Sequence, residues 1–290
     1  MTRVVSRFAP SPTGALHLGH AFSAVRAHDL ARAAGGEFLL RIEDIDPGRA
    51  REEHAMGIME DLHWLGLDWD GVAVRQSDRL PLYAGALDRL KAMDLLYPCF
   101  CTRAEIAVEI AASASAPHGP ASHGPDGPVY PGTCRRLDPA TRTARMGAEP
   151  HAWRIAMGAA TDRAGALSWS DAGEGIVRAD PLSHGDVVLA RKDAPVSYHL
   201  AVTVDDAAQG VTDIVRGEDL FAATHVHRLL QALLDLPVPR YHHHALLRGA
   251  DGRRLAKRDG ALPLATLRDR GVDPVALVTA LRAGELPHFD

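Results

Sequence analysis

Arg7-Phe8-Ala9-Pro10-Ser11-Pro12-Thr13-Gly14-Ala15-Leu16-His17-Leu18-Gly19-His20 is the stretch on which the fold turns. It begins inside Arg3 to Ala9, which reads as a buried strand. It ends inside a helix read from about Leu18 to Ala34, with Phe22, Val25 and Leu30 on its apolar side and Gly35-Gly36 as its stop. Glu37 to Ile42 reads as a second strand. Strand, helix and strand at this spacing form a βαβ unit, so the sheet is expected to be parallel. The quoted residues then fill the crevice between first strand and first helix, where open α/β sheets bind ligands. A helix N-terminus offers unpaired N–H groups and partial positive charge to a phosphate. Gly19 lets a nucleotide approach the backbone, and His17 and His20 can donate to a phosphate chain. A bare His-x-Gly-His would be only a turn with two surface histidines; the full string in this context points to a nucleotide site.

Working outward, helices are expected from about Arg51 to Leu65 (Ile58, Leu62, Leu65) and from Leu80 to Leu95 (Tyr83, Leu87, Leu90). Ala111 to Pro128 is Ala, Ser, Gly, Pro and His, too poor in large apolar residues to offset chain entropy, and reads as a flexible insertion with His118 and His123 exposed. From His151 to about Val188 the pattern is β-rich and irregular. Ser197 to Val204 reads as a strand, with Leu200, Val202 and Val204 on one face. Val211 to Val215 reads as another strand, Thr224 to Leu236 as a helix, and Arg240 to Leu247 as a strand. His242 and His244 would share one strand face and His243 the other, as strand-end histidines of which one could border an adenine pocket. His225 and His227, two apart on a helix, read as surface residues.

The chain has 290 residues, 46% hydrophobic and 24% charged, an ordinary globular composition with room for about two domains. No apolar run approaches the ~20 residues of a membrane span, and Met1 to Pro10 has no signal-peptide core, so a cytoplasmic location is expected. Three cysteines do not make a disulfide framework. A net charge of −5 disfavours a general nucleic-acid coat protein. Basic charge is local: Arg248 to Arg270 carries seven basic and three acidic residues, and Arg135 to Arg145 four arginines and one aspartate. Such runs can grip a polyanion or merely face solvent.

Arg7 to Ser11 with His17 to His20 resembles the catalytic signature of class I glutamyl-tRNA synthetases. Arg41-Ile42-Glu43-Asp44-Ile45-Asp46 and Val215-Arg216-Gly217-Glu218-Asp219-Leu220 resemble the family's next two motifs, in the expected order. The chain stops at Asp290, and on length it is more similar to the short paralogues of that family, which lack the anticodon-binding region. The resemblance implies an ATP-dependent ligase that activates L-glutamate without tRNA and passes it to queuosine in the anticodon of tRNA(Asp). A truncated enzyme acylating a tRNA 3′ end, a ligase using a small amine, and a non-catalytic amino-acid- or RNA-binding relic are the alternatives. The implied fold is α/β, a Rossmann-like doubly wound parallel sheet with an inserted zinc-binding, acceptor-type α+β region. The implied layout is residues 1–97 as the first catalytic half, 98–190 as the insertion with the loop 111–128, and 191–247 as the second half. Residues 248–290 would supply an active-site loop and a short helical segment, with no anticodon-binding domain.

The resemblance also assigns residues. Arg7 and Arg216 would pair with carboxylate and Glu43 with the α-ammonium of glutamate, with hydrogen bonds from Ser11 and Tyr198; Asp44 and Asp46 read as local structure. Phe8, Ala9, Pro10 and Gly19 would border ATP. His17, His20 and Lys257 would stabilise the transition state. Lys257 lies in Arg254-Leu255-Ala256-Lys257-Arg258, where the family carries Lys-Met-Ser-Lys-Ser; Arg254 and Ala256 depart from that pattern. Magnesium is expected with ATP. Cys99, Cys101 and Cys134 offer three thiolates, and some short paralogues use a tyrosine four residues before the last cysteine as fourth ligand, a position held here by Tyr130. A closed site of this kind would hold structural zinc; three reduced thiols without metal is the alternative. A monomer is expected.

Overall fold

The computed structural model describes residues 3–114, 123–125, 127–247 and 262–286. The first half runs β1 (Val5–Phe8), α1 (Leu18–Ala33), β2 (Glu37–Ile42), α2 (Glu52–Trp64), β3 (Val74–Arg75) and α3 (Leu80–Ala92). Strands β1, β2 and β3 pair in parallel, as the βαβ pattern requires. Helix α1 ends before Gly35, whose φ of +61° a side chain would resist. At Gly36 a Cβ would lie 2.1 Å from the Val4 carbonyl oxygen, so only glycine lets the chain re-enter the sheet there.

The middle of the chain runs β4 (Leu96–Cys99), α4 (Arg103–Ala114), β5 (His123–Gly124), β6 (Gly127–Pro128), α5 (Pro139–Ala148), β7 (Ala152–Ile155), α6 (Met157–Ala164), β8 (Ser168–Asp171), β9 (Gly175–Arg178) and β10 (Val188–Ala190). Strands β10, β7 and β4 form an antiparallel sheet. The stretch read as a flexible insertion carries regular structure among its described residues. Its start is the end of α4, and β5 and β6 form a small hairpin with His123 exposed; His118 lies outside the described residues.

The chain then returns through α7 (Tyr198–Ala208), β11 (Asp213–Gly217), α8 (Ala223–Leu233), β12 (Arg240–His244), α9 (Leu264–Asp269) and α10 (Pro274–Ala283). Strand β11 pairs in parallel with β12, β12 with β8, and β9 completes this sheet as the antiparallel partner of β8. Thr212 links the two parallel halves: its N–H donates to the Val5 carbonyl at 2.9 Å and its hydroxyl accepts from the Val5 N–H. The α1 crossover leads from β1 to β2 on one side while β11 stands on the other, so a crevice opens at the C-terminal ends of β1 and β11.

Ser197 to Val204 is a correction. It is the start of helix α7, not a strand. Leu200, Ala201, Val202, Thr203, Val204, Asp205 and Asp206 are all buried, so no helical stripe marks the sequence, and its β-branched residues mimic a strand. One apolar core joins α1, β1, β2 and α2 to α9 and α10; a second joins α3, α6, α7 and α8. Among the described residues, no helix is long and apolar enough to cross a membrane.

Candidate active site

Four strand ends and one helix start enclose a cavity of about 650 Å³. Arg7 to Ser11 leave β1, Glu43 follows β2, Val215 to Gly217 end β11, and His244 ends β12; His17, Gly19 and His20 begin α1. Tyr198, the first residue of α7, completes the wall. The structure thus gathers Arg7, Phe8, Ala9, Pro10, Ser11, His17, Gly19, His20, Glu43, Tyr198 and Arg216 around one space.

The histidines cap the helix. His17 is the N-cap residue and its Nδ1 accepts from the Gly19 N–H at 3.1 Å; His20 Nδ1 accepts from the His17 N–H at 3.2 Å. The exchange is a capping box made by imidazoles, satisfying two orphan donors. It also fixes tautomers: with Nδ1 accepting, each neutral ring carries its proton on Nε2, as a donor. The rings lie against each other with centroids 3.8 Å apart.

The cations differ in how they are held. Arg7 is clamped by Asp206, Nε to Oδ1 at 2.9 Å and Nη2 to Oδ2 at 3.4 Å. Behind it Arg41, fully buried, donates to Asp206 at 2.8 Å and to Glu43 at 3.1 Å. Burial pushes the Glu43 carboxyl up, against the downward pull of Arg41 and Arg7. Burial would also raise Asp206, but Arg7 and Arg41 outweigh it and hold that carboxyl below its usual value.

Arg216, 5% exposed, donates to the His243 ring at 3.1 Å and to Thr224, and Tyr198 and His227 lie 3.5 and 3.3 Å from its Nη1. Among the described residues none of its polar partners is a carboxylate. A buried guanidinium with only neutral partners, facing a cavity, is arranged for an incoming anion. Burial first, then the Arg216 charge, pushes His243 down to about 4 and His227 well below its usual value, so both rings are neutral at neutral pH.

His227 is therefore not a surface residue. It is fully buried, and Thr224 and His227, three apart on α8, reach Arg216 together. An i, i+3 polar pair in an otherwise apolar helix face was the available signal. His225 is half-buried, with its ring against Trp169. His244 borders the cavity and bonds Ser23 at 2.9 Å, while His242 pairs with Asp213. Asp44 accepts from Ser77, and Asp46 from Gly48, Arg49 and Arg191, which keeps both in local structure.

Lys257, with the rest of 248–261, lies outside the described residues. The chain on either side of it reaches the site: Leu247 lines the cavity and Pro263 bridges His17. The arginine run of the middle region is largely engaged within the protein. Arg135 pairs with Asp186, Arg136 with Glu109 and Arg145 with Glu149, while Arg142 donates to the Arg135 and Leu137 carbonyls.

Away from the cavity, Cys99, Cys101 and Cys134 bring their sulfurs within 4.8 Å of one another. The Tyr130 hydroxyl lies 3.5 Å from the sulfurs of Cys99 and Cys101, and Cys101 and Cys134 are 3.4 Å apart. Burial pushes the Cys101 thiol up to about 12, with added repulsion from the other two sulfurs.

Residues 3–286 match the family described as tRNA synthetases class I (E and Q), catalytic domain. The chain is 52% identical over 275 residues to a glutamyl-Q tRNA(Asp) synthetase of Rhodobacter capsulatus, covering 93% of this chain and 97% of that one. It is 48% identical to the protein of that name in Symbiobacterium thermophilum, covering 94% and 83%. A glutamate tRNA ligase of Elizabethkingia meningosepticum, crystallised with its amino acid, superposes with a TM-score of 0.80 at 27% identity. That match covers 97% of this chain and 60% of the ligase. The chain belongs to the class I tRNA synthetase family of the E and Q type, within the glutamyl-Q tRNA(Asp) synthetases.

Proposed function

We propose that the protein activates L-glutamate with ATP, without tRNA, and transfers it to queuosine in the anticodon of tRNA(Asp). The observation that carries the reading is the charge arrangement in the cavity: Arg7 and Arg216 against Glu43, beside a helix N-terminus capped by two imidazoles. Glutamate brings two carboxylates and one ammonium, which complement that set; an unpaired charge in so desolvated a site would be costly.

The glutamate α-carboxylate attacks the α-phosphorus of ATP, giving glutamyl-adenylate and pyrophosphate. No protein nucleophile is needed; positioning and electrostatics lower the barrier. Arg7 and Arg216 hold carboxylate, Glu43 holds the ammonium, and Ser11 and Tyr198 add hydrogen bonds. Phe8, Ala9, Pro10 and Gly19 border the nucleotide. The Nε2–H donors of His17 and His20 and the start of α1 face growing phosphate charge, and Lys257 adds a cation on the departing pyrophosphate. Magnesium accompanies the ATP. A hydroxyl of the queuosine ring then attacks the mixed anhydride and AMP leaves. Glutamate-dependent ATP–pyrophosphate exchange is expected without any tRNA, and transfer only to queuosine-bearing tRNA(Asp). Exchange that needs tRNA(Glu) would overturn this reading in favour of 3′-end acylation.

Cys99, Cys101, Tyr130 and Cys134 fit structural zinc. At a Zn–S distance of ~2.3 Å, tetrahedral ligands stand roughly 3.8 Å apart, close to the separations found. Burial first, then the Cys101 and Cys99 sulfurs, push the Tyr130 hydroxyl up, so a phenolate there would depend on the bound cation itself. A bound cation would offset the burial and the sulfur repulsion that together raise Cys101. Its contribution would be to fix the end of β4 to the Thr133–Arg136 turn. Protein purified without chelator is expected to hold about one zinc per chain, and stripping it should lower the thermal midpoint by roughly 5–10 °C. Zinc-free protein with an unchanged midpoint would refute the assignment.

A further inference from the structure

We propose that Asp171 is a positioning residue for glutamate: by fixing one tautomer of His243, it holds the Arg216 guanidinium in the cavity wall. The proposal rests on Arg216 binding a glutamate carboxylate.

Asp171 comes from the middle of the chain, at the end of β8, and reaches the site because β8 pairs with β12 through Tyr241 and Asp171. Its two oxygens have separate tasks. Oδ1 accepts from the Gly173 and Glu174 N–H groups at 2.8 and 3.1 Å, closing the β8–β9 turn. Oδ2 faces His243 Nδ1 at 2.6 Å, with both side chains almost wholly buried. A carboxylate can only accept, so His243 carries its proton on Nδ1. Its Nε2 is then a lone pair. Two donors converge on that lone pair: Arg216 Nε–H at 3.1 Å and the Thr224 hydroxyl at 3.4 Å. Thr224 in turn accepts from Arg216 Nη2.

Only this tautomer satisfies the ring of contacts. The opposite one would set Nε2–H against Arg216 Nε–H, donor against donor. Rotation of the imidazole is opposed by Tyr241, stacked on it at 5.8 Å with planes 2° apart, and by Phe221, edge-on at 4.9 Å. Asp171 therefore acts on glutamate at two removes, touching neither glutamate nor ATP. The argument is electrostatic and directional: the carboxylate sets which nitrogen donates, and that nitrogen sets where the guanidinium points.

Asp171→Asn separates the two tasks. The turn's N–H groups keep the amide oxygen at the Oδ1 position, so the NH₂ must face His243 Nδ1 and force the proton onto Nε2. In full-length protein with 15N-labelled histidine, NMR should show His243 as the Nδ1–H tautomer in the wild type and Nε2–H in the variant, the signal being assigned by its loss in His243→Gln. The KM for glutamate in ATP–pyrophosphate exchange should rise about 10–100-fold, the size of effect seen when a group that orients a ligand-binding side chain is lost, and the KM for ATP should stay within about twofold. Once His243 is glutamine, Asp171→Asn should add little further. An unchanged tautomer, or a KM for ATP rising as much as that for glutamate, would overturn the proposal while leaving the glutamate site standing. A changed tautomer with an unchanged KM for glutamate would also overturn the proposal, since Arg216 would then keep its place whichever nitrogen donates; the assignment of Arg216 to glutamate is decided separately, by the kcat/KM of Arg216→Gln.

Discussion

Replacing Arg216 with Gln is expected to lower kcat/KM for glutamate by about 10³–10⁴-fold while leaving the free protein as stable as the wild type, or slightly more so. The two halves of that expectation have one cause. In the free protein Arg216 is a buried cation whose polar partners are His243, Thr224, Tyr198 and His227, all neutral. No protein carboxylate among the described residues touches it. Removing the charge breaks no direct ion pair, and the nearest buried carboxylate, Asp171, lies one imidazole away and keeps its bonds to His243, Gly173 and Glu174. Bound glutamate supplies the missing anion, so the loss falls on binding. Exchange kinetics read the first half and a thermal melt the second. Arg216→Lys should recover little, because a single ammonium cannot both reach His243 and present a two-pronged face to a carboxylate. A melt lowered by many degrees in Arg216→Gln would mean that the guanidinium is structural and that the cavity was not built around an anion.

The parts of this site that could be read from sequence are those in which one residue's chemistry and its neighbours' spacing suffice. The string Arg7 to His20 sits between a strand and a helix whose apolar periods are clear, and so its place at the crevice follows. Cys99, Cys101, Tyr130 and Cys134 also meet, although α4 and the β5–β6 hairpin intervene. What sequence could not show is the shell behind the arginines. Asp206 reaches Arg7 across 199 positions, and Asp171 reaches His243 across 72. No local pattern encodes such pairs. The misreading of α7 as a strand hid the first of them, because a helix buried on every side has no polar face to give it its period. The remaining clue is arithmetic of charge. Arg7, on a strand that reads as buried, and Arg41, on the strand beside it, call for counter-ions, and Asp205-Asp206 directly after an apolar run is a place to look for them.

Those two aspartates give the second large effect, and it falls on stability. Asp206 bridges Arg7 and Arg41, and Asp205 accepts from Gln76, Arg79 and Tyr83. Asp206→Asn leaves two buried guanidiniums sharing Glu43 as the nearest full anion, with Asp205 3.7 Å from Arg41 Nε. Breaking a buried pair in this way costs about 3–5 kcal/mol, a fall of roughly 6–15 °C in thermal midpoint for a chain of this size. The pH dependence has a definite sign. Asp206 is held below its usual value, so its contribution is complete above the unfolded carboxyl value near pH 4 and is lost as pH falls through the folded value. Glu43, held above its usual value, works the other way and gains stability as pH falls. Wild-type stability should therefore decline in acid more steeply than that of Asp206→Asn, which has already lost the titrating group. Asp205→Asn is the control, since Asp205 makes no ion pair with Arg7. Both variants should melt early, but only Asp206→Asn frees the Arg7 side chain that faces the substrate, so only it should also raise the KM for glutamate. Equal rises in KM would show that the charged cluster supports the whole cavity as a unit and does not aim Arg7 in particular.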